Sequence, residues 1–226
     1  TKNKILMLAT TASMIEQFNI NNIKLLQSMG ATVYVGTNFS RPGTITEQTC
    51  KRLQKELDRM GVRYYQVDFM RGTGNHRANR RALDQVCQII KDNKINGIHA
   101  HSPLGGIIGR RAGRRMHIKV LYTTHGLQFF KGGPLKNWLF FFPIEWYYAH
   151  WTNGIITINH DDHAISRFLP AGHHYYIPGV GVDIKRVAEI SNDRQRQLRR
   201  ATRQRLNIAA DDYLILSVGE LSKRKN

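Results

Sequence analysis

Short β-rich apolar runs alternate with stretches of helical periodicity along nearly the whole chain, and this alternation narrows the fold more than any other feature. The runs are KILMLAT (4–10), ATVYVGT (31–37), VRYYQVD (62–68), GIHAH (97–101), KVLYTTH (119–125), GIITIN (154–159) and HYYIP (174–178). Between them apolar residues recur three and four apart, as in Ile20, Ile23 and Leu26, and again in Leu83, Val86, Ile89 and Ile90. Strands buried on both faces, each followed by a helix, predict a parallel sheet with helical covers. The expected class is α/β, a Rossmann-like doubly wound and mostly parallel sheet over residues 1–182. PGVGVD (178–183) then punctuates the chain. Residues 183–210 read as a linker carrying a very basic helix, NDRQRQLRRATRQRL (192–206), and YLILSVG (213–219) reads as one more strand. Residues 211–226 are therefore expected to open a second Rossmann-like domain whose remainder is missing from these 226 residues.

Charge narrows the partners. Lys and Arg number 34 against 16 Asp and Glu, a net charge of +18, so the chain should attract something anionic. Nucleic acid, phospholipid headgroups and a phosphorylated substrate all qualify. No run reaches the roughly 18 to 20 apolar residues of a membrane span. The opening TKNKILMLATTASM imitates a signal peptide but leads directly into a strand and helix pattern. Cys50 and Cys87 stand 37 residues apart with no CxxC and no histidine at ligand spacing, which suits a reduced cytosolic protein.

In a doubly wound sheet, ligands bind beyond the carboxyl ends of the strands, so function is sought in those loops. ATTASMIEQFN (9–19) contains no glycine, and GTGNHR (72–77) follows the third strand and lacks the final glycine. This disfavours an ordinary dinucleotide enzyme. In HAHSPLGGIIGRRAGRR (99–115), Ser102 is an expected N-cap and Pro103 an expected first helical residue. Gly105 and Gly106 then either cradle a phosphate at the helix start or allow close helix packing. His99 and His101 share a strand face; with no third ligand in view, a structural role is favoured over a metal. His125 ends a buried strand and precedes Gly126, which puts an imidazole at the mouth of the crevice, able to hydrogen-bond a hydroxyl or to act as acid or base.

Two further stretches stand out. In KNWLFFFPIEWYYAHW (136–151) eight of sixteen residues are aromatic, and all three tryptophans of the chain lie there. As a helix it is apolar on nearly every side, interrupted by Asn137, Glu145 and His150, so it must be buried all round or meet lipid. Trp138, Phe141 and Trp146 are the expected membrane contacts, with Lys131 and Lys136 beside them for an anionic leaflet. The competing reading is a core helix at a domain interface. The basic helix sets Arg196, Arg199, Arg200 and Arg203 on one face, either for phosphates or as a solvated stripe. SVGELSKRKN (217–226) places Lys223, Arg224 and Lys225 beyond a strand-ending glycine, a sensible diphosphate clamp.

These segments in this order resemble the N-terminal half of a glycosyltransferase of family 4, with the GT-B architecture, of the kind that builds bacterial capsule and exopolysaccharide. The likeness is carried by HAHSPLGGIIGR, YTTHGLQFFKGGPLKNWLFFFPIEW, ITINHDDHAI, YYIPGVGVD and LSVGELSKRKN. It implies a retaining transfer of a sugar from a nucleotide donor, commonly a UDP-sugar, to a polyprenyl-diphosphate-linked or other glycan acceptor. It implies no cofactor and no metal, the nucleotide sugar being a co-substrate. His125 matches the histidine that contacts the donor sugar, while Gly219 and Lys225 match the donor diphosphate site. Thr10, Thr11, Phe18, Ser102, Gly105 and Gly106 fall where acceptor and diphosphate are approached. Glu220 departs from the arginine found in many relatives. The resemblance also implies a partner C-terminal domain, without which little activity is expected, and a cytoplasmic location, peripheral on the inner face of the cell membrane.

Three rivals remain at this level. A nucleic-acid-binding Rossmann-like protein suits the charge, but no recognised motif is present and the aromatics are clustered rather than interleaved with the basic residues, so nucleic acid is not the expected partner. A GT-B sugar-nucleotide epimerase would act on soluble substrates. An inactive fragment would only bind or scaffold.

Overall fold

The structure is a computed structural model that describes residues 3–70, 72, 74–181 and 190–219. The chain divides into two compact units, Thr1–Val180 and Gly181–Asn226.

The first unit is a seven-stranded, all-parallel sheet flanked by helices. Its strands are β1 (Lys4–Leu8), β2 (Thr32–Thr37), β3 (Arg63–Gln66), β4 (Gly97–His101), β5 (Lys119–Thr123), β6 (Gly154–Thr157) and β7 (His174–Tyr176). Their order across the sheet is β3-β2-β1-β4-β5-β6-β7. All seven predicted runs are strands, most shorter by one or two residues than the apolar runs that announce them. The order reverses between β1 and β4, and that switch point is where a doubly wound sheet opens a crevice.

The helices are α1 (Ala12–Phe18), α2 (Ile20–Ser28), α3 (Glu47–Arg59), α4 (His76–Asn93), α5 (Pro103–Met116), α6 (Leu135–Ala149) and α7 (His160–Ser166). Alternation along β1 shows why both sheet faces are covered. Met7 points to one side, into a cluster with Val33, Val35, Ile15, Ile23, Leu53 and Leu57. Leu6 and Leu8 point to the other, into the larger cluster with Ile98, Ala100, Ile108, Val120, Tyr122, Val86 and Ile90. Helices α1, α2 and α3 supply apolar residues to the first layer and α4, α5 and α6 to the second, which is the arrangement that continuous strand hydrophobicity demands.

Helix α5 lies unusually close to the sheet. A Cβ on Gly106 would overlap the Tyr122 ring, one on Gly109 would come within 2.9 Å of Ala100 Cβ, and one on Gly113 would overlap Val120. Close packing therefore accounts for Gly106, where the sequence left packing and phosphate binding equal.

In the second unit, α8 (Asn192–Arg205) is capped by Ser191, whose side chain accepts from the Arg194 N–H. The predicted stripe of four arginines is divided. Arg196 pairs with Asp193 at 2.7 Å, Arg199 and Arg200 are exposed, and Arg203 is buried, donating to the carbonyls of Ala209 and Asp212. The expected strand YLILSVG is not formed: residues 213–219 have no strand assignment, and Tyr213 and Ile215 are almost wholly exposed. A strand is held by its neighbours' N–H and C=O groups, and the described residues of this unit contain no second strand to supply them. Gly219 lies at the exposed end of this segment, while Glu220, Lys223, Arg224 and Lys225 lie outside the described residues.

Candidate functional site

Two loops meet at the switch point. Ala9 closes β1 and leads through Thr10 and Thr11 into α1. Ser102 closes β4 and leads into α5. The two loops are joined directly: Ser102 Oγ lies 3.0 Å from Thr10 Oγ1 and accepts from the Thr10 N–H at 3.3 Å. Ser102 stands at the N-cap position as expected, but its side chain makes no cap hydrogen bond to α5. It serves the neighbouring loop instead, and its φ of +66° is a left-handed conformation costly for any residue with a Cβ. Gly105 allows this approach, since a Cβ there would stand 2.9 Å from Ser102 Oγ and 3.5 Å from the Ala9 Cα and Thr10 N.

His125 is half-buried two residues beyond β5, and its ring centroid lies 5.3 Å from that of Phe18 at the end of α1. Its Nε2 is 3.2 Å from Nδ1 of His101, the last residue of β4. His101 in turn packs against His99, ring centroids 4.3 Å apart, and His99 Nε2 is 2.8 Å from Thr123 Oγ1. The pair that the sequence showed on one strand face is thus the two buried members of a three-imidazole row.

Burial sets the charge of this row. Desolvation holds His99 down to about 4, and desolvation with the neighbouring His99 and His125 holds His101 well below its ordinary range. His125 is lowered by desolvation. All three are neutral at pH 7. His101 Nε2 is buried without a hydrogen-bond partner, so the smaller penalty is to leave a lone pair there rather than an N–H. That assigns the proton of His101 to Nδ1, makes it the donor to His125 Nε2, and leaves the proton of His125 on Nδ1. The arrangement presents a neutral imidazole N–H, suited to an oxygen acceptor on a ligand.

The loop after His125 is fixed from a distance. Gly126 takes φ of +138°. The next N–H, that of Leu127, donates to Asp162 Oδ2 at 3.1 Å. Asp162 is buried in the first turn of α7, where Asn159 caps the helix by accepting from the Asp162 N–H at 2.7 Å and donates to its carboxylate at 2.8 Å. Nothing in the sequence marks Asp162 for this task except a carboxylate three residues after a cap asparagine.

Beside the imidazole row a cleft of about 620 Å³ runs between α5 and α6, lined at one part by Thr10, Thr11, Thr124 and Gly126. Beneath it Arg110, wholly buried, pairs with Glu145 at 2.7 Å, donates to the Gly106 carbonyl at 3.0 Å and stacks over Tyr122 at 4.3 Å. Glu145, which seemed an interruption of the aromatic block, is the counter-ion of this arginine.

The block itself forms α6 and is two-faced. Trp138 and Phe141, two of the expected membrane contacts, are half-buried against Leu127, Phe129 and Ile165, and Trp138 Nε1 donates to the Phe130 carbonyl at 3.1 Å. They face inward because the loop carrying Phe129 needs a cover. The outward side carries Trp146 with Leu135, Leu139, Phe140 and Tyr147, Leu139 being 72% exposed. No helix among the described residues is long and apolar enough to cross a membrane. Among the described residues no group of three or more His, Cys, Asp or Glu is arranged to hold a metal ion.

Comparison with known proteins supplies the chemistry that such a crevice serves elsewhere. The model of the family described as "Glycosyl transferase 4-like domain" matches residues 21–178. EpsD of Bacillus subtilis (strain 168), which carries a provisional glycosyltransferase description, is 31% identical over 228 residues, covering 99% of this chain and 55% of that protein. The chain thus spans about half the length of the curated relative it matches. Among solved structures, Anabaena HepE in complex with UDP and glucose superposes with a TM-score of 0.61 at 14% identity, covering 91% of this chain and 50% of that one. A glycosyltransferase from Rickettsia africae ESF-5 gives 0.59 at 16% identity, covering 93% and 51%. UDP-N-acetylglucosamine 2-epimerase from Rickettsia bellii gives 0.57 at 12% identity, covering 92% and 52%. At such identities the structural likenesses speak for the fold alone.

Proposed function

The chain belongs to the glycosyl transferase 4-like family, and from that premise we propose that it supplies the acceptor-side domain of a retaining glycosyltransferase that moves a sugar from a nucleotide donor, a UDP-sugar, onto a polyprenyl-diphosphate-linked glycan at the cytoplasmic face of the membrane. The observation that carries the reading is the neutral imidazole of His125. It stands beyond the carboxyl end of β5, held by His101 and against the Phe18 ring, in a loop anchored by Asp162. In this reading His125 hydrogen-bonds a hydroxyl of the donor sugar. Thr10, Thr11 and Phe18 border the acceptor, and Ser102 with Gly105 shapes the backbone that the acceptor meets. No cofactor is assigned beyond the nucleotide sugar. Gly219 and Lys225 are assigned to the donor diphosphate together with a further, donor-binding domain.

The outward face of α6 supports the lipid part of the proposal. Exposed Leu, Phe, Trp and Tyr side chains beside Lys131 and Lys136 combine apolar area with positive charge, as an interfacial helix does. The net charge of +18 favours an anionic surface.

The test offers a panel of nucleotide sugars and lipid-linked acceptors to this chain alone and to the chain joined to a downstream donor-binding domain. Turnover by the joined protein, with loss of at least about 100-fold in His125→Ala, is the expected result, within the range such a group contributes. Conversion of a nucleotide sugar without any acceptor would move the protein to the epimerases. Absence of turnover across the panel with folding intact would end the transferase reading.

A further inference from the structure

The cleft between α5 and α6 is the size of sites that enclose a small ligand. Leu104, Ile107 and Ile108 form its α5 side, and Phe140, Phe141 and Ile144 its α6 side. Two charged residues line it, Glu145, which is already bonded to Arg110, and Arg111 on the α5 side. A sugar placed among these walls would leave most of its hydroxyls without partners, whereas a hydrocarbon would not. Thr10, Thr11, Thr124 and Gly126 form a polar part next to His125, and Asn79, Arg111 and Gln128 add polar groups to the lining, while the six aliphatic and aromatic side chains make up its two walls.

Two continuities identify the occupant. Phe140 is both a wall of the cleft and part of the exposed apolar face of α6, so the apolar walls run out onto that face. Met70 lines both this cleft and a second, polar one of about 670 Å³ lined by Arg41, Arg77 and Arg81, so cations adjoin the first cleft at Met70. Of the three arginines, Arg81 has an acidic neighbour, Asp68, at 3.9 Å. An amphiphile with a hydrocarbon tail and an anionic head satisfies both ends at once. We propose that the α5–α6 cleft holds the hydrocarbon tail of a lipid-phosphate acceptor, with its head at the Thr10 and Thr124 end and the tail leaving over Phe140. The inference rests on the reading that the acceptor is lipid-linked, and it adds that the protein itself sheathes the first part of that lipid.

Farnesyl diphosphate, inorganic pyrophosphate and farnesol are titrated calorimetrically into the full 226-residue chain at two temperatures. Farnesyl diphosphate should bind at least tenfold more tightly than pyrophosphate, since two buried methylenes already supply a factor of about ten, and with a negative heat-capacity change. Farnesol should bind more weakly than farnesyl diphosphate. Ile107→Trp and Ile144→Trp each fill the cleft from one wall; whichever keeps the wild-type melting curve should lose at least tenfold for farnesyl diphosphate and none for pyrophosphate, while Ile107→Leu should bind as wild type does. Equal affinity for farnesyl diphosphate and pyrophosphate, or unchanged farnesyl diphosphate binding in both folded tryptophan variants, overturns the inference. In the joined protein the two readings separate. Unimpaired turnover of lipid-linked acceptor by Ile107→Trp sinks the tail site and leaves the transferase standing. Cleft-dependent binding without any turnover does the reverse.

Discussion

A single carboxylate shows what one residue can decide in this fold. Glu145 sits among aromatic side chains with no sequence neighbour to neutralise it, and its partner Arg110 lies 35 positions away on α5. Burial opposes the charge of that arginine, and the Glu145 carboxylate outweighs the opposition and raises its pKa. Arg110 Nη2 is already without a partner, so removing the carboxylate leaves the buried charge without a counter-ion, with only the Nε hydrogen bond to the Gly106 carbonyl remaining. Glu145→Ala is predicted to destabilise the protein by about 3–5 kcal/mol in urea unfolding. A pair that distant is invisible to local reading, which saw only an interruption. The place of His125 at the end of β5 was legible from a buried strand followed by glycine; its contact with His101 was not, because the two come together only through the pairing of β4 with β5.

Whole elements divide their labour by face. From its composition α6 was expected to be apolar on nearly every side; what composition could not say is which rings turn inward. Trp138 packs edge-on against Phe129, ring centroids 5.2 Å apart, while Leu139, one residue on, is open to solvent. Trp138→Ala is therefore predicted to cost about 2 kcal/mol, less than a fully buried ring, with little effect on flotation with anionic liposomes. The double change Leu139→Ser with Trp146→Ala should leave the melting temperature within about 2 °C and cut flotation several-fold; unchanged flotation would remove the membrane role from this helix. Helix α7 acts through a single contact. Asp162→Ala frees the Leu127 N–H, and amide exchange across residues 125–129 should accelerate about tenfold, one hydrogen bond to a charged group being worth that much.

At the scale of the molecule, the sheet was readable because its strands are buried on both faces and announce themselves as unbroken apolar runs. The crevice followed from the strand order. The segment YLILSVG misled for the same reason: its residues have strand character, but pairing is a property of neighbours, and propensity does not create them. The buried imidazoles give the whole fold a pH dependence. His99, His101 and His125 are held neutral when folded and ionise near 6.5 when unfolded, so the unfolded chain binds more protons below that value. Stability should be full above about pH 6.5 and fall as pH drops toward 4, His99 alone accounting for roughly 3 kcal/mol across that window. Asp68, the carboxylate with a lowered pKa, titrates below the window and leaves it undisturbed. Thermal melts at pH 7.5 and pH 5 should show the loss, and His99→Gln should flatten it; melting temperatures equal at both values would refute the assignment. The anchoring of the His125 loop by Asp162 has an evolutionary reading as well. Because the residue two beyond the imidazole is tied to α7, the outward-facing rings of α6 can vary from one descendant to the next while that loop keeps its anchor.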